Sequence, residues 1–450
     1  MSSNPAPISL GANNPDDAAP HLHPLTHPDR WDQVRSALAG GPPAVMVPGV
    51  RPADLPVAAA FAVATSGSTG QARIVTLSLD ATLAAASASA RRLGGTGRWF
   101  VPLSTGYIAG LNAAVRSILA GHDPVALPAT SGPFSAETFV KAWRADFDPP
   151  ARFVSLVPTQ LTRLVEAAAN PGATDLRNCL TSFEAILVGG AACDPALLDA
   201  ARRIGARVVA TYGMAETCGG IVYDGFPLDG VDVRINADGR IATAGPTLAQ
   251  GYITPAHPTN PPAPGSPHAN SRAPEPPPTN PTTAAGGTSQ PDHHAPAHFE
   301  PLDCFTAEGK RWFTSRDLGS LDASGKLTVH GRADDVIVCG GVKLAPSPIE
   351  QALRAHPAVA DAVVVPLPDK EWGQIPAALI ELTQPASTHT TPPPGELRQL
   401  VEERLGRFAV PRRIITVPAL PRLPFGKVDR AAALKLVPTS SPAGPGGLPG

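Results

Sequence analysis

Between residues 64 and 73 the chain reads Ala64-Thr65-Ser66-Gly67-Ser68-Thr69-Gly70-Gln71-Ala72-Arg73. Glycines let a backbone approach anionic oxygens closely, and hydroxyl and amide dipoles then meet the negative charge, which is the chemistry of a phosphate cradle. No Gly-Lys-Ser/Thr follows at the spacing of a Walker loop. Small-residue loops are commonest as plain surface turns, so this one needs partners elsewhere in the chain. Two stretches offer them: Gly189-Gly190-Ala191-Ala192, and Thr211-Tyr212-Gly213-Met214-Ala215-Glu216-Thr217. Glu216 is a hard oxygen ligand suited to a cation that also bridges phosphates. Taken alone, the same stretch is a polar turn after a buried strand.

The elements that must hold these loops are legible as short apolar runs. Residues 57–63 and 74–77 flank the first loop as strand-like segments. Helices are predicted over 31–38, 79–92, 111–119, 159–169 and 195–203, and strands over 99–103, 125–127, 153–157, 185–188 and 207–213. Apolar strands alternating with helices predict an α/β fold with much parallel sheet. Ligand loops then belong at the carboxyl ends of the strands, where Gly189-Gly190 and residues 212–217 fall. Beyond residue 336 the pattern changes to helix 348–355, β segments 362–365 and 377–382, helix 396–405 and strand 413–417, a compact α+β module.

The 450 residues suffice for more than one domain, and a hydrophobic fraction of 43% is ordinary for a globular protein. The net charge of −2 carries no polyanion-binding signal, so no nucleic-acid partner is expected. Five scattered cysteines without a CxxC pair argue against a disulfide framework or structural zinc and fit a reducing, cytoplasmic setting. No signal peptide and no run long enough for membrane insertion are read. Between Ile253 and Phe299 there is no Val, Leu, Ile, Met, Phe, Trp or Tyr, so this stretch cannot bury enough apolar surface to offset its entropy. The expected organisation is a loosely ordered lead-in, 1–30; a large N-terminal domain, 31–333, with a disordered Pro-rich insert at 254–298; a C-terminal lid domain, 334–437; and a disordered tail, 438–450. His21, His23, His27, His293, His294 and His298 read as solvated residues of the lead-in and insert.

In order along the chain, the motifs resemble those of the adenylate-forming (ANL) superfamily, which includes acyl-CoA synthetases, luciferases and peptide-synthetase adenylation domains. They are Thr65–Gly70, Tyr212-Gly213-Met214-Ala215-Glu216-Thr217, Ser315-Arg316-Asp317, Gly331-Arg332-Ala333-Asp334-Asp335 and Pro424-Phe425-Gly426-Lys427-Val428-Asp429-Arg430. The resemblance implies a large layered domain and a small mobile α+β domain that together activate a carboxylic acid with ATP and Mg²⁺ and pass it to CoA. By the same resemblance, Thr65, Ser66, Gly67, Ser68, Thr69 and Gly70 cradle the β- and γ-phosphates. Gly189, Gly190, Thr211, Tyr212 and Gly213 surround adenine, Glu216 holds Mg²⁺, and Thr217 contacts the α-phosphate. Asp317 holds the ribose hydroxyls and Arg332 approaches ribose and phosphates. Asp334 is the hinge, Gly341 with Gly340 lines the pantetheine tunnel, and Lys427 neutralises charge developing on the reacting oxygens. The family's Pro-Lys after the loop is Ala72-Arg73 here, and its Thr-Gly-Asp is Ser315-Arg316-Asp317. Arg73, which the resemblance places among the cofactor-binding residues, keeps the charge without lysine's compact head.

Other stretches resemble the 2-succinylbenzoate–CoA ligases of menaquinone synthesis in their actinobacterial form. They are Ile108-Ala109-Gly110-Leu111 with Val115-Arg116-Ser117, residues 155–161, and Gly219-Gly220-Ile221-Val222-Tyr223-Asp224-Gly225. That likeness implies 2-succinylbenzoate as the acid, with Tyr107, Ser155 and Gln160 as pocket-wall candidates. Tyr107 stands where these ligases often have His, so the position hydrogen-bonds without titrating near neutral pH. Another aryl- or acyl-CoA ligase, a carrier-loading adenylating enzyme and a non-catalytic nucleotide-binding relative remain open at this level. The sequence is also compatible with a homodimer.

Overall fold

A computed structural model describes residues 29–47, 50–65, 73–127, 134–145, 151–254, 297–383, 391–422 and 428–438. Ser66, Gly67, Ser68, Thr69, Gly70 and Lys427, the lead-in to residue 28, residues 255–296 and the tail from 439 lie outside the described residues. The first helix is Asp29–Leu38, so regular structure begins inside the expected lead-in.

A seven-stranded sheet positions most of the site. Its order is Phe226–Pro227, Gly219–Tyr223, Val208–Met214, Ala185–Val188, Arg152–Leu156, Arg98–Val101, Val125–Ala126. The last five are mutually parallel, and the first two run antiparallel. Residues alternate between the two faces of each strand. Val154, Ile186 and Val188 join Phe100, Leu161, Leu164 and Phe183 in one core. Phe153, Ala185 and Leu187 join Trp99, Ala113, Ala114 and Tyr223 in another. Both faces are therefore covered, which is why these strands read as near-continuous apolar runs. The strand expected at 99–103 stops at Val101, because Pro102 has no N–H to donate to a ladder.

A second sheet runs Ala44–Val45, Ala59–Ala64, Ile74–Ser78, Gly251–Thr254, His298–Pro301. Thr254 and His298, expected to be the ends of the insert, are cross-strand partners here. Backbone pairing needs no apolar side chains, so composition alone hid both strands. A third sheet joins Asp232–Ile235, Arg240–Ala244, Lys310–Leu321 and Cys304–Ala307, with Leu327–Arg332 paired to Lys310–Leu321.

The short turn Ala333–Asp335 leads from the third sheet into the last one. There Val342–Leu344, Ile337–Cys339, Gly373–Leu382 and Val359–Asp369 are neighbours, and Arg413–Val417 lies parallel to Gly373–Leu382. Helices Pro346–Arg354 and Pro394–Leu405 cover one face through Ile349, Leu353, Leu397 and Val401. Helix Arg430–Lys435 contributes Ala433 to the core on the other face.

Candidate active site at the carboxyl edge of the parallel sheet

The phosphate-loop candidate springs from a closed neck. Thr65 N–H donates to the Arg73 carbonyl at 2.7 Å, and Arg73 N–H donates to Thr65 Oγ1 at 3.0 Å. Ala64 N–H reaches the Gly106 carbonyl at 2.8 Å, and Ala64 forms a parallel bridge with Tyr107. The neck is thereby tied to the start of helix Ile108–Leu119, where Tyr107 occupies the N-cap position. Tyr107 is half-buried, and desolvation pushes its phenol up to about 12, so it stays protonated through the neutral range.

Gly189 sits beyond the strand Ala185–Val188, where a Cβ would run into Thr211 Oγ1. Glycine is needed because Thr211 closes on this strand, donating to the Val188 carbonyl at 3.2 Å. Gly190 follows with φ +79°, and Gly213 pairs with Gly220 across the antiparallel strand. Tyr212 is placed toward the third sheet. Its phenol donates to Asp317 Oδ2 at 3.0 Å and lies 3.3 Å from Ser315 Oγ. Burial and then the Asp317 charge push this phenol well above its ordinary value. Asp317 is the cross-strand partner of Arg332, whose Nη1 lies 3.7 Å from Asp317 Oδ1. Ser315 Oγ accepts from Asp317 N–H at 3.1 Å. Arg332 Nε is buried without a hydrogen-bond partner, so one donor of that guanidinium is unspent. Tyr212, Asp317 and Arg332 are thus brought together, although Tyr212 and Asp317 are 105 residues apart.

Glu216 lies on the turn Ala215–Thr217 that follows the strand Val208–Met214. Its Oε1 accepts from the Tyr252 hydroxyl at 2.9 Å, and its carbonyl accepts from Ala249 N–H at 2.9 Å. Arg73 lies over the Tyr252 ring, with Cζ 3.3 Å from the centroid, and pairs with Glu300 at 3.3 Å. Sequence reasoning missed Tyr252. It has no spacing signal toward Glu216, and it lies at the edge of the low-complexity insert. The Thr217 hydroxyl is fully buried, lies 3.1 and 2.8 Å from the Met214 and Gly219 carbonyls, and accepts from Met214 N–H at 3.0 Å, so it shapes the turn presenting Glu216.

Among the described residues there is no group of three or more His, Cys, Asp or Glu side chains that could cage a metal. A single carboxylate with Oε2 beside an occupied Oε1 fits Mg²⁺, which keeps several waters and is commonly shared with substrate phosphates. Of the acid-pocket candidates, Ser155 is buried on the strand Arg152–Leu156. Gln160, the other wall candidate, bonds at both ends of its amide: Oε1 accepts from Val157 N–H at 3.1 Å and Nε2 donates to the Pro102 carbonyl at 3.4 Å. The amide braces the corner where two strand ends meet. Gly341 has φ +82° in the turn between Ile337–Cys339 and Val342–Leu344, and nothing lies within 4 Å of the place a Cβ would take. Asp334 accepts from Arg316 Nη1 at 3.0 Å and Arg332 Nη2 at 3.5 Å. Arg316, where the family pattern has glycine, therefore braces the turn between the third and last sheets.

Residues 14–253 match the family model of AMP-binding enzymes, and residues 348–427 match that of the AMP-binding enzyme C-terminal domain. The chain belongs to the AMP-binding enzyme family, with its large N-terminal domain and smaller C-terminal domain. It is 38% identical over 380 residues to a probable 2-succinylbenzoate–CoA ligase of Mycobacterium tuberculosis, covering 84% of each chain. Identity to the 2-succinylbenzoate–CoA ligase of Bacillus velezensis is 30% over 389 residues, 81% of this chain and 66% of that one. Among solved structures, o-succinylbenzoate CoA synthetase (MenE) of Bacillus subtilis in complex with the acyl-adenylate intermediate OSB-AMP aligns with TM-score 0.61 and 27% identity, covering 84% of this chain and 69% of that one. MenE from the same organism in complex with ATP and magnesium ion aligns with TM-score 0.60 and 26% identity, over 83% and 69% of the two chains.

Proposed function

We propose that this chain is an AMP-forming acid–CoA ligase that activates 2-succinylbenzoate for menaquinone synthesis. The observation that carries the reading is the pair of tyrosine-held carboxylates, Glu216 and Asp317, in a chain 38% identical to a probable 2-succinylbenzoate–CoA ligase. The acid's carboxylate oxygen attacks the α-phosphorus of ATP, the bond to the bridging oxygen breaks, and pyrophosphate leaves. The CoA thiolate then attacks the acyl carbon and AMP departs. Phosphoryl transfer of this kind depends on positioning and charge stabilisation. Residues 65–70 receive the departing phosphates, Asp317 accepts from the ribose hydroxyls, and Arg332 donates to ribose or phosphate oxygens. Glu216 would hold Mg²⁺, which offsets phosphate charge when bound. Lys427 supplies positive charge to the reacting oxygens during adenylation, and Asp334 is the pivot that exchanges Lys427 for the glycine turn at Gly341 in the thioester step.

The test is acid-dependent AMP release with ATP, Mg²⁺ and CoA over a panel of aryl and acyl acids. Turnover is expected with 2-succinylbenzoate. Turnover only with a different acid would overturn the substrate while keeping the class, and AMP release that ignores free CoA would point to a carrier-loading enzyme. Lys427→Ala is expected to abolish adenylation and largely spare thioester formation from pre-made adenylate. Equal loss in both steps would refute the role given to Lys427.

A further inference from the structure

We propose that Tyr252 and Arg73 are positioning residues that set the orientation of Glu216, with Arg73 acting through the tyrosine ring and not on phosphate. This rests on the reading of Glu216 as the carboxylate that meets the Mg²⁺ of MgATP. Glu216 and Tyr252 are joined twice. The side chains meet at 2.9 Å, and the Glu216 carbonyl accepts from Ala249, three residues before the tyrosine, also at 2.9 Å. A glutamate on a three-residue turn has three side-chain torsions to order, and a hydrogen bond on one oxygen removes most of that freedom while leaving Oε2 for a cation.

Tyr252 needs its own support, because a phenol reaching across a sheet edge swings about its χ angles. The ladder provides it. Tyr252 is paired with Val75 on one side and Glu300 on the other, and Arg73 stands just before the strand Ile74–Ser78. The Arg73 side chain crosses the tyrosine to reach Glu300, so its guanidinium carbon stands 3.3 Å from the ring centroid while Nη2 is held 3.3 Å from Glu300 Oε2. Tyr252 is only 8% exposed under this cover. A planar guanidinium stacks in this way, and a lysine ammonium does not. The substitution of Arg for the family's Lys therefore reads as a change of task. The positive charge is spent on the ring and on Glu300, and its product is a fixed phenol facing Glu216.

The experiment is calorimetric titration of ATP into the full-length protein without acid or CoA, across a Mg²⁺ series and in EDTA. For Tyr252→Phe, which keeps the ring and its shelf, the half-saturating Mg²⁺ is expected to rise about tenfold, the loss of one hydrogen bond to a charged group. ATP affinity in EDTA is expected to be unchanged. Arg73→Lys, at a side chain 45% exposed and tolerant of replacement, is expected to shift the same Mg²⁺ midpoint in the same direction by less. The double variant should be no worse than Tyr252→Phe, because the two residues act through one hydrogen bond. An unmoved Mg²⁺ midpoint in both variants, or equal weakening with and without Mg²⁺, would overturn the proposal. If the unmodified protein bound ATP equally well with and without Mg²⁺, the metal role of Glu216 would fall first and this inference with it.

Discussion

Two carboxylates, Glu216 on a turn and Asp317 on a strand of the third sheet, are each held by a tyrosine, yet they stand in different electrostatic company. Asp317 accepts a hydrogen bond from the Tyr212 phenol at 3.0 Å and also lies 3.7 Å from Arg332, with its side chain 15% exposed. Glu216 accepts a hydrogen bond from the Tyr252 phenol at 2.9 Å, but the nearby guanidinium of Arg73 lies on the tyrosine ring and pairs with Glu300. Among the described residues no lysine or arginine forms an ion pair with Glu216. The neighbouring arginine is thus directed at the carboxylate itself in one pair and at the tyrosine ring in the other.

That contrast is open to direct attack. Glu216→Gln removes the charge and keeps the shape, and is expected to lower the rate of adenylation roughly 10²–10³-fold, the range seen when a charge-stabilising group is removed. Single-turnover measurement of pyrophosphate release reads it, and a loss confined to ATP affinity would erase the distinction between the two acids. Asp317→Asn should instead raise KM for ATP about tenfold with a smaller change in kcat, as expected for a lost acceptor bond to substrate. A Mg²⁺-dependent defect in this variant would mean that both acids serve the metal.

The phenols also give the protein a pH signature. Tyr107, Tyr212 and Tyr252 are all held above the ordinary value of 10.0, burial being the largest cause in each, and Tyr107 is pushed up to about 12. Above pH 10 the unfolded chain loses these protons while the folded chain keeps them, so the native state binds more protons and stability falls as pH rises. Their contribution is full below the unfolded value and is lost as pH climbs from there through the folded values. Urea midpoints at pH 9 and pH 11 should show the drop, and Tyr212→Phe should reduce it by one phenol's share. A flat profile would mean that these phenols ionise as freely in the fold as out of it. The smallest effect is expected from the insert. Because Thr254 and His298 are cross-strand partners, replacing residues 256–296 by a short turn should leave turnover within about twofold, since closing a hairpin locally costs little. A collapse of activity or of the melting midpoint would assign the insert a structural task.

Legibility varied with what each segment buries. The parallel strands were readable because both faces are covered, so Phe153, Val154, Ile186 and Leu187 follow one another as apolar residues. The third sheet was less so. The strand Lys310–Leu321 buries Trp312, Phe313 and Ser315 with no regular alternation along its length, so it lacks the period of a half-buried strand. The helices Ala136–Ala145 and Thr174–Ser182 also escaped notice, since each buries only a narrow stripe, such as Phe139 with Ala142 or Leu176 with Cys179 and Leu180. At the site, the polar atoms of Thr217 and Gln160 bond to neighbouring backbone, a local partnership that residue type does not display.

What the sequence by itself determined is local: the alternation that buries the strands, the small-residue loops at their ends, and the acids and bases available there. Pattern and propensity act over a few residues, and these features need no more. Which phenol faces which carboxylate was decided only by the tertiary structure, because Tyr212 meets Asp317 across 105 residues and Tyr252 meets Glu216 across 36. Tyr212 and Asp317 stand on strands of two different sheets, and Glu216 is on a turn that meets a strand of yet another, so only the packing of sheets against one another brings these partners together. The pairing of Tyr252 with Val75 sets Arg73, two residues earlier, beside the tyrosine, and the fold alone lays its guanidinium over that ring.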